Sequence, residues 1–312
     1  RYAPAPVIHP RNYHETFDRK LMYWKPSCRI EDLTVQGMQQ HKELGQAYKN
    51  HYTKTVNFLD QNYHPTNTFI RATDKDRTAR SAISFMQGLY PPVSPNEVVQ
   101  MVTDNDSGGI LRPDETWCEE TKGRENYFYE LPETLEAYNA TKQKYGQVFE
   151  DHGLKFTVKK SFKYAVFITV LKCADRPLPD WITDEMADDL GKYVSIYYYG
   201  VNDNDKYRGV ASSPLYREMF SIADKKISME NDYKFVLLST HGSGLAAFLT
   251  TLGYKEEYGP AVRSHVALEL WDVNDQIFAR IVMNGKPIKV SFLNNDPQKQ
   301  GGLFLYNNFK AE

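Results

Sequence analysis

The hydrophobic pattern of the chain contains two short apolar runs with the length and composition of buried β-strands. The first run, residues 68–70, ends on Arg71, and the second run, residues 233–240, ends on His241. Continuous apolar runs of this length are typical of strands that other elements cover on both faces. The pattern therefore predicts two central strands of an α/β sheet.

A helix pattern follows the first strand. Apolar residues recur there at close to helical spacing, at Ala79, Ala82, Ile83, Met86 and Leu89. Thr73 and Asp74 are residues of the kind that caps a helix N-terminus. Gly88 and the pair Pro91–Pro92 predict the end of the helix. Arg71 therefore lies where a strand gives way to a helix.

A second helix pattern follows the second strand. Residues 242–244, Gly-Ser-Gly, predict a tight loop. The apolar segment 245–252 predicts a helix that Gly253 closes. His241 is therefore expected, like Arg71, at a strand-to-helix turn.

The two turns together indicate an anion site. Ligands of open α/β sheets bind beyond the carboxyl ends of the strands, and helix N-termini there favour anions. A guanidinium offers paired donors that match phosphate oxygens. Each residue also has a structural interpretation, since Arg71 could pair with Asp74 or Asp76 and a single histidine is usually a packing residue. Both interpretations stay open for the residues taken singly.

The pattern becomes mostly helical from about residue 93 to residue 205. Apolar residues at helical spacing over 161–171 predict an amphipathic helix, and Thr183 is a suitable N-cap for the next helix. We predict that residues 93–205 form a helical cap lobe inserted into an α/β core, which residues 1–92 and 206–312 would build.

The C-terminal part of the chain returns to strand patterns. They cover residues 265–271, 277–283 and 287–293, with a strong hairpin signal at Asn284–Gly285. These segments predict an antiparallel meander at the edge of the sheet. The predicted fold class is therefore α/β, with a central mixed β-sheet flanked by helices and the inserted cap lobe.

Composition narrows the classes of partner. The chain has 312 residues, enough to bury a substantial core, and a formal net charge of -2. That charge gives no reason to expect nucleic-acid binding. The apolar runs fall short of the ~20 residues that a membrane-spanning helix needs. His9 and His14 are a weak metal signal without a cysteine partner, so we predict no metal and no cofactor.

The chain resembles the histidine acid phosphatases in five segments that follow one another in the family's order. This branch of the histidine phosphatase superfamily includes prostatic and lysosomal acid phosphatases and phytases. Residues 69–92, FIRATDKDRTARSAISFMQGLYPP, resemble the family's strand followed by an R-S-T-D-x-x-R-T helix. The other segments are LTVQGMQQHKELGQAYKNHY, LPDWIT, VLLSTHGSGLAAFLTTLGY and GPAVRSHVALELW. Together they cover most of the chain.

The resemblance implies a phosphomonoester hydrolase that works through a phosphohistidine intermediate. Arg1, Arg71 and His241 are the residues that would bind the phosphate, and His241 would also be catalytic. The implied partner is a small phosphorylated substrate. A homodimer is compatible with this picture, although the sequence does not fix the oligomeric state.

The start of the chain departs from the family pattern. The family begins with R-H-G-x-R-x-P, whose His is the nucleophile, whereas this chain begins RYAPAP. In one interpretation Arg1 is the second arginine of that motif, and the strand and the nucleophilic His lie upstream. In the other, the motif has decayed and Tyr2 stands in place of the His. We favour the first, because the domain would otherwise lack a central strand.

A second departure is Gly242. The family places an Asp directly after the second His, and that Asp protonates the leaving alcohol. Gly242 supplies no carboxylate, and Ser243 cannot replace it as an acid. The alternative function is therefore an impaired or inactive phosphatase fold that binds a phosphate ligand or serves as a structural partner.

Cysteines and glycosylation sequons bear on location. Cys28, Cys118 and Cys173 form an odd set that defines no disulfide framework. In vertebrate relatives the cysteines comparable to Cys118 and Cys173 pair near the C-terminus, where this chain has Ser264 near one position and no counterpart for the other. The sequons at Asn105 and Asn139 fit a secretory, lysosomal or extracellular protein.

Overall fold

The structure is a computed structural model that describes residues 32–94, 97–103, 109–112, 119–293 and 301–311. The sequence predictions that concern Arg1, Tyr2, His9, His14, Cys28, Asn105 and Cys118 lie outside these residues. The described chain divides into two compact units. Unit 1 comprises the described residues of Arg1–Arg112 and Asp224–His241, and unit 2 those of Pro113–Ala223 and Gly242–Glu312. The boundaries predicted for the inserted lobe stay a prediction.

The helices, in chain order, are α1 (Val35–Lys49), α2 (Asp76–Leu89), α3 (Arg124–Glu130), α4 (Pro132–Thr141), α5 (Gln147–Asp151), α6 (Val158–Cys173), α7 (Asp184–Gly200), α8 (Ser213–Ile227), α9 (Gly242–Thr251) and α10 (Tyr306–Ala311). The strands are β1 (Thr68–Ala72), β2 (Val102–Thr103), β3 (Phe235–Ser239), β4 (Val266–Val273), β5 (Gln276–Met283), β6 (Lys286–Pro287) and β7 (Phe304–Leu305).

A parallel sheet forms the centre of unit 1. Its strands follow the order β2-β1-β3, so the two predicted central strands are direct neighbours. The register sets Arg71 of β1 beside Leu238 of β3 and beside Val102 of β2. The apolar stripe of α2 packs on this sheet, and Ile70, Phe85 and Met86 are almost fully buried there. Both strands therefore end at the same edge of one sheet.

Helices α1 and α2 of unit 1 cross at two glycines. A Cβ atom added to Gly45 would overlap the carbonyl oxygen of Phe85, and one added to Gly88 would overlap the carbonyl oxygen of Lys42. Gly88 lies inside α2, which continues to Leu89. The predicted end of the helix, between Gly88 and Pro91, is confirmed. The missing side chain of Gly88 also serves helix packing.

Two predicted helix starts were wrong. Helix α2 begins at Asp76 with Lys75 at the N-cap, where the cap residue makes no side-chain capping bond. The predicted caps, Thr73 and Asp74, precede that position. Helix α9 begins at Gly242, so the predicted loop 242–244 is its first turn. Local propensity is a weak guide at such positions because tertiary contacts override it.

The strands of unit 2 form the predicted antiparallel meander, but among the described strands it is a separate sheet and not, as predicted, the edge of the parallel one. β4 pairs with β5, and β5 pairs with β6 and β7. The hairpin signal at Asn284–Gly285 is confirmed, since both residues have positive φ, at 48° and 80°. The third predicted strand is short and comprises Lys286–Pro287, with a 3₁₀ turn at Ser291–Leu293.

Aromatic side chains fill the helical part of unit 2. Phe162 stacks on Tyr193 with ring centroids 4.2 Å apart, and Phe149 stacks on Tyr164 at 5.2 Å. Burial raises the pKa of Tyr193 well above its usual range. These rings are packing groups of the helices that carry them, as the high aromatic content of the sequence suggests.

The α/β fold class is confirmed. In the described residues, hydrogen bonds join the parallel strands into one sheet and the antiparallel strands into another. No helix in these ranges is long and apolar enough to span a membrane. Cys173 is a free thiol at the end of α6.

Candidate functional site

The two predicted anion-site residues on the described chain, Arg71 and His241, belong to unit 1. Arg71 lies in β1 opposite Leu238, and His241 follows the end of β3 by two residues. Because β1 and β3 are parallel neighbours, both residues lie toward the carboxyl edge of the sheet. Arg1, the third predicted phosphate ligand, lies outside the described residues.

Both ring nitrogens of His241 contact residues of the turn between β1 and α2. Nε2 lies 3.0 Å from Oγ1 of Thr73. Nδ1 lies 3.3 Å from Nη2 of Arg77, in the first turn of α2. His241, which follows β3, therefore contacts the segment that leads from β1 into α2.

Thr73 continues this contact into the protein. Its side-chain oxygen lies 2.6 Å from that of Thr78, and the hydroxyl of Thr78 donates to the carbonyl oxygen of Lys75 at 2.8 Å. Thr73 and Thr78 are 1% and 3% exposed. Buried hydroxyls need partners, and these two supply partners to each other.

Further hydrogen bonds join the two strand-to-helix turns. The backbone N–H of Thr73 donates to the carbonyl oxygen of Ser239 at 3.2 Å, which extends the sheet by one pair. The hydroxyl of Ser239 donates to the carbonyl oxygen of Thr78 at 2.7 Å. The hydroxyl of Thr240 donates to the carbonyl oxygen of Leu111. The position of His241 is thus set by side chains and backbone together.

Positively charged side chains are concentrated around the turn between β1 and α2. Arg71, Lys75 and Arg77 lie within seven residues of sequence. Asp74 has Lys75 as an ion-pair partner at 3.4 Å, and Asp76 has Arg80 at 2.6 Å. The cationic segment lies at a sheet edge and leads into a helix N-terminus, an arrangement that favours an anion.

Gly242, the first residue of α9, belongs to unit 2. Its φ is not among the positive values that glycine favours. A Cβ atom at this position would lie 3.4 Å from Cε1 of Tyr198, an ordinary van der Waals contact. Position 242 therefore has an ordinary backbone conformation and room for a Cβ atom, so neither feature requires a glycine there.

Sequence reasoning did not assign a site role to Thr73, Arg77 or Thr78. A signal for them was present, because they are the T, R and T of the segment that resembles R-S-T-D-x-x-R-T. Pattern alone could not show that they meet His241, which lies 164 residues beyond Arg77. Groups of acidic, histidine and cysteine side chains that could hold a metal ion are absent from the described residues.

Comparisons with known proteins identify the family of the chain and relatives of its fold. The sequence model of the histidine phosphatase superfamily (branch 2) matches residues 11–284. The chain is 24% identical over 273 residues to Counting factor 60 of Dictyostelium discoideum, a match that covers 85% of this chain. It is 25% identical over 265 residues to a lysosomal acid phosphatase of Xenopus laevis, covering 75% of this chain.

The matched region is 65% of the Dictyostelium protein and 57% of the Xenopus protein, so the chain spans less than two thirds of these relatives. Among solved structures, the apo form of the Hafnia alvei phytase superposes with a TM-score of 0.73 at 13% identity, over 97% of this chain and 92% of the phytase. That likeness shows a common fold. Since the family model matches most of the sequence, the chain belongs to branch 2 of the histidine phosphatase superfamily.

Proposed function

We propose that this protein hydrolyses phosphomonoesters as an acid phosphatase, through a phosphohistidine intermediate. The observation that carries the proposal is the placement of Arg71 and His241 toward the carboxyl edge of neighbouring parallel strands. Membership in a family of phosphatases supports it.

The chemistry follows from the charge of the substrate. A phosphomonoester dianion repels a nucleophile unless positive groups neutralise its oxygens, and preorganised donors do this best. Arg71 supplies a guanidinium, Arg1 would supply a second, and His241 a further donor. In the proposed reaction a histidine ahead of Arg1 attacks phosphorus, forming a P–N bond while the P–O bond to the alcohol breaks. Water then breaks the P–N bond and releases phosphate.

The glycine at position 242 limits the proposed reaction. The leaving alkoxide must take up a proton, and general acid catalysis of such a step is worth roughly 10²–10⁴-fold. With no carboxylate at Gly242, esters with good leaving groups should be hydrolysed better than simple alkyl phosphates. This selectivity is the kinetic signature that the proposal predicts.

The second candidate function is binding of a phosphate ligand without turnover, or a structural role. The same glycine favours it, because a chain without the acid and without the nucleophile would keep only the anion site. Such a protein would bind phosphate through Arg71 and release no alcohol.

Substrate class and location are part of the proposal. The proposed substrates are small phosphorylated molecules, as membership in a phosphatase family suggests. A lysosomal or secretory location is supported by the lysosomal acid phosphatase among the relatives. The sequon residue Asn139 is exposed on α4, which fits a glycoprotein.

Hydrolysis of an aryl phosphate and binding of inorganic phosphate by the full-length protein test the proposal. Arg71→Ala should abolish both. Arg80→Ala is the matched control, because Arg80 is 47% exposed and pairs with Asp76. It should retain both activities. Phosphate binding without hydrolysis in the wild type would favour the second candidate, and an Arg71→Ala variant with normal binding would overturn both.

A further inference from the structure

Two contacts of the His241 ring indicate which of its nitrogens carries the proton. The guanidinium of Arg77 has N–H donors and no acceptor. Its contact of 3.3 Å with Nδ1 is therefore a hydrogen bond only if Nδ1 offers a lone pair. In the neutral ring the proton then resides on Nε2, which faces the hydroxyl oxygen of Thr73 at 3.0 Å.

The opposite end of the network leads to the same assignment. The carbonyl oxygen of Lys75 can only accept, so the hydroxyl of Thr78 donates to it at 2.8 Å. Thr78 has a single hydrogen, and its 2.6 Å contact with Thr73 therefore requires Thr73 to donate. Thr73 has then used its own hydrogen and must accept from Nε2–H of His241.

We propose that Arg77 and Thr73 are positioning residues that hold the neutral ring of His241 as the Nε2–H tautomer. Nε2 is then the atom that donates to a phosphoryl oxygen, by exchanging its acceptor from the Thr73 hydroxyl to the ligand. Arg77 acts through His241 and keeps Nδ1 occupied as an acceptor. The tautomer assignment rests on the hydrogen bonds described above, whereas the donation to phosphate rests on the proposed function.

The tautomer is measured directly by long-range ¹H–¹⁵N correlation spectra of the full-length protein labelled with ¹⁵N-histidine. Protonated and unprotonated ring nitrogens resonate far apart, and His241→Gln identifies the signals of this residue. At a pH where the ring is neutral, the wild type should show a protonated Nε2 and an unprotonated Nδ1. A protonated Nδ1 would overturn the proposal.

Variants test whether the two partners cause this state. Arg77→Met keeps the apolar stem and removes the donors, so His241 should become a mixture of tautomers. Arg77→Lys keeps a donor and should retain more of the Nε2–H form. Thr73→Val should weaken the preference and Thr73→Ser should preserve it. Arg80→Met, in the same helix, should leave the spectrum unchanged. An unchanged tautomer in Arg77→Met would refute the role of Arg77.

Activity supplies a separate readout. Loss of the partners that orient a functional histidine costs roughly 10–100-fold in well-studied metal sites, and Arg77→Met should lower kcat/KM by a similar factor, with partial rescue in Arg77→Lys. Inorganic phosphate should shift the Nε2 resonance and leave Nδ1 unprotonated. If the wild type shows the tautomer but neither hydrolyses esters nor responds to phosphate, the proposed function fails and the hydrogen-bond assignment stands. A response at Nδ1 instead would contradict the donor atom.

Discussion

The turn from β1 to α2 and the turn from β3 to α9 have kept different parts of their family motifs. The first retains both arginines, both threonines and the aspartate of R-S-T-D-x-x-R-T, with Ala72 in place of the serine. The second retains His241 and has Gly242 where the family has an acid. Most of the groups that would bind phosphate in the proposed function are thus concentrated in the first turn.

This difference separates two tasks that an intact family member performs together. Charge and hydrogen-bond donors act on the phosphoryl oxygens, whereas the acid acts on the oxygen that leaves. The hydroxyl groups of Thr73 and Thr78 in the first turn are buried and hydrogen-bonded, whereas Gly242 in the second turn supplies no side chain for the leaving group. Substitutions in the two turns should therefore affect different kinetic quantities.

The largest effect is expected from Gly242→Asp. The Cβ atom of the new side chain would lie at an ordinary contact distance from the ring of Tyr198. It should raise kcat for alkyl phosphates, up to the ~10²–10⁴-fold range of general acid catalysis. The gain on aryl phosphates should be smaller, because their leaving groups need little protonation. Steady-state rates on a matched alkyl and aryl pair measure the difference.

Gly242→Asn is the control for that experiment, since it has nearly the same shape and no acid. It should not accelerate either substrate. If Gly242→Asp leaves both rates unchanged in a protein that folds and binds phosphate, the missing carboxylate does not limit hydrolysis. The two turns would then not differ in the kinetic step that each affects.

The next effect in size concerns Thr78 in the first turn. Thr78→Val removes the hydroxyl that donates to Lys75 and accepts from Thr73. Leaving buried groups without partners costs about 1–3 kcal/mol, which urea unfolding should detect. Ser81→Ala, in the same helix, removes one hydrogen bond to the Arg77 carbonyl and should cost about 0.5 kcal/mol or less. Equal losses for the two variants would show that the first turn is not specially connected.

A smaller effect is expected where the two turns meet. The hydroxyl of Ser239 donates to the carbonyl oxygen of Thr78. Ser239→Ala should lower the free energy of unfolding by about 1 kcal/mol. Because Ser239 and Thr78 share this network, the Ser239→Ala and Thr78→Val effects should be non-additive in a double-mutant cycle. Simple additivity would mean that the turns are energetically independent.

The smallest effect is a pH dependence that arises outside both turns. Burial lowers the pKa of His265, although the hydrogen bond with the Arg263 backbone opposes this shift and the Arg263 charge adds to it. In the unfolded chain His265 takes up a proton near pH 6.5, whereas in the folded chain it does so only at a lower pH. The free energy of unfolding therefore decreases as the pH falls below about 6.5. Below pH 6.5 the free energy of unfolding of His265→Gln should decrease less steeply with falling pH than that of the wild type. Above pH 7 the pH dependence of the two proteins should be the same. Identical acid-unfolding curves would contradict the assignment.

Much of the fold could be predicted because its signals are local. The apolar runs that end at Arg71 and His241 identified two neighbouring strands, and Asn284–Gly285 identified a hairpin. The start of α2 could not be predicted in the same way. Thr73 is a residue type that often caps helices, but its hydroxyl contacts Thr78 and His241 instead. His241 lies 168 residues away in sequence.

The same reason limited the prediction of the candidate site. Arg71 and His241 could be chosen from their positions at strand ends. Arg77 matches the second arginine of the family segment, but its contact with Nδ1 of His241, which Arg80 does not share, is visible only in the structure. Long-range hydrogen bonds of this kind leave no periodic trace in a single sequence.

The crossing of α1 and α2 changes how a mutational scan of this protein would be interpreted. Gly45 and Gly88 make no contribution to chemistry, yet any side chain at either position would push α2 away from α1. Because Arg77 and Thr78 belong to α2, that displacement would reach the imidazole of His241. A map of inactivating substitutions would therefore show these two glycines beside Arg71 and His241. Their sensitivity would reflect the close spacing of two helix backbones. Ranking residues by loss of function alone would therefore overstate the size of the candidate site.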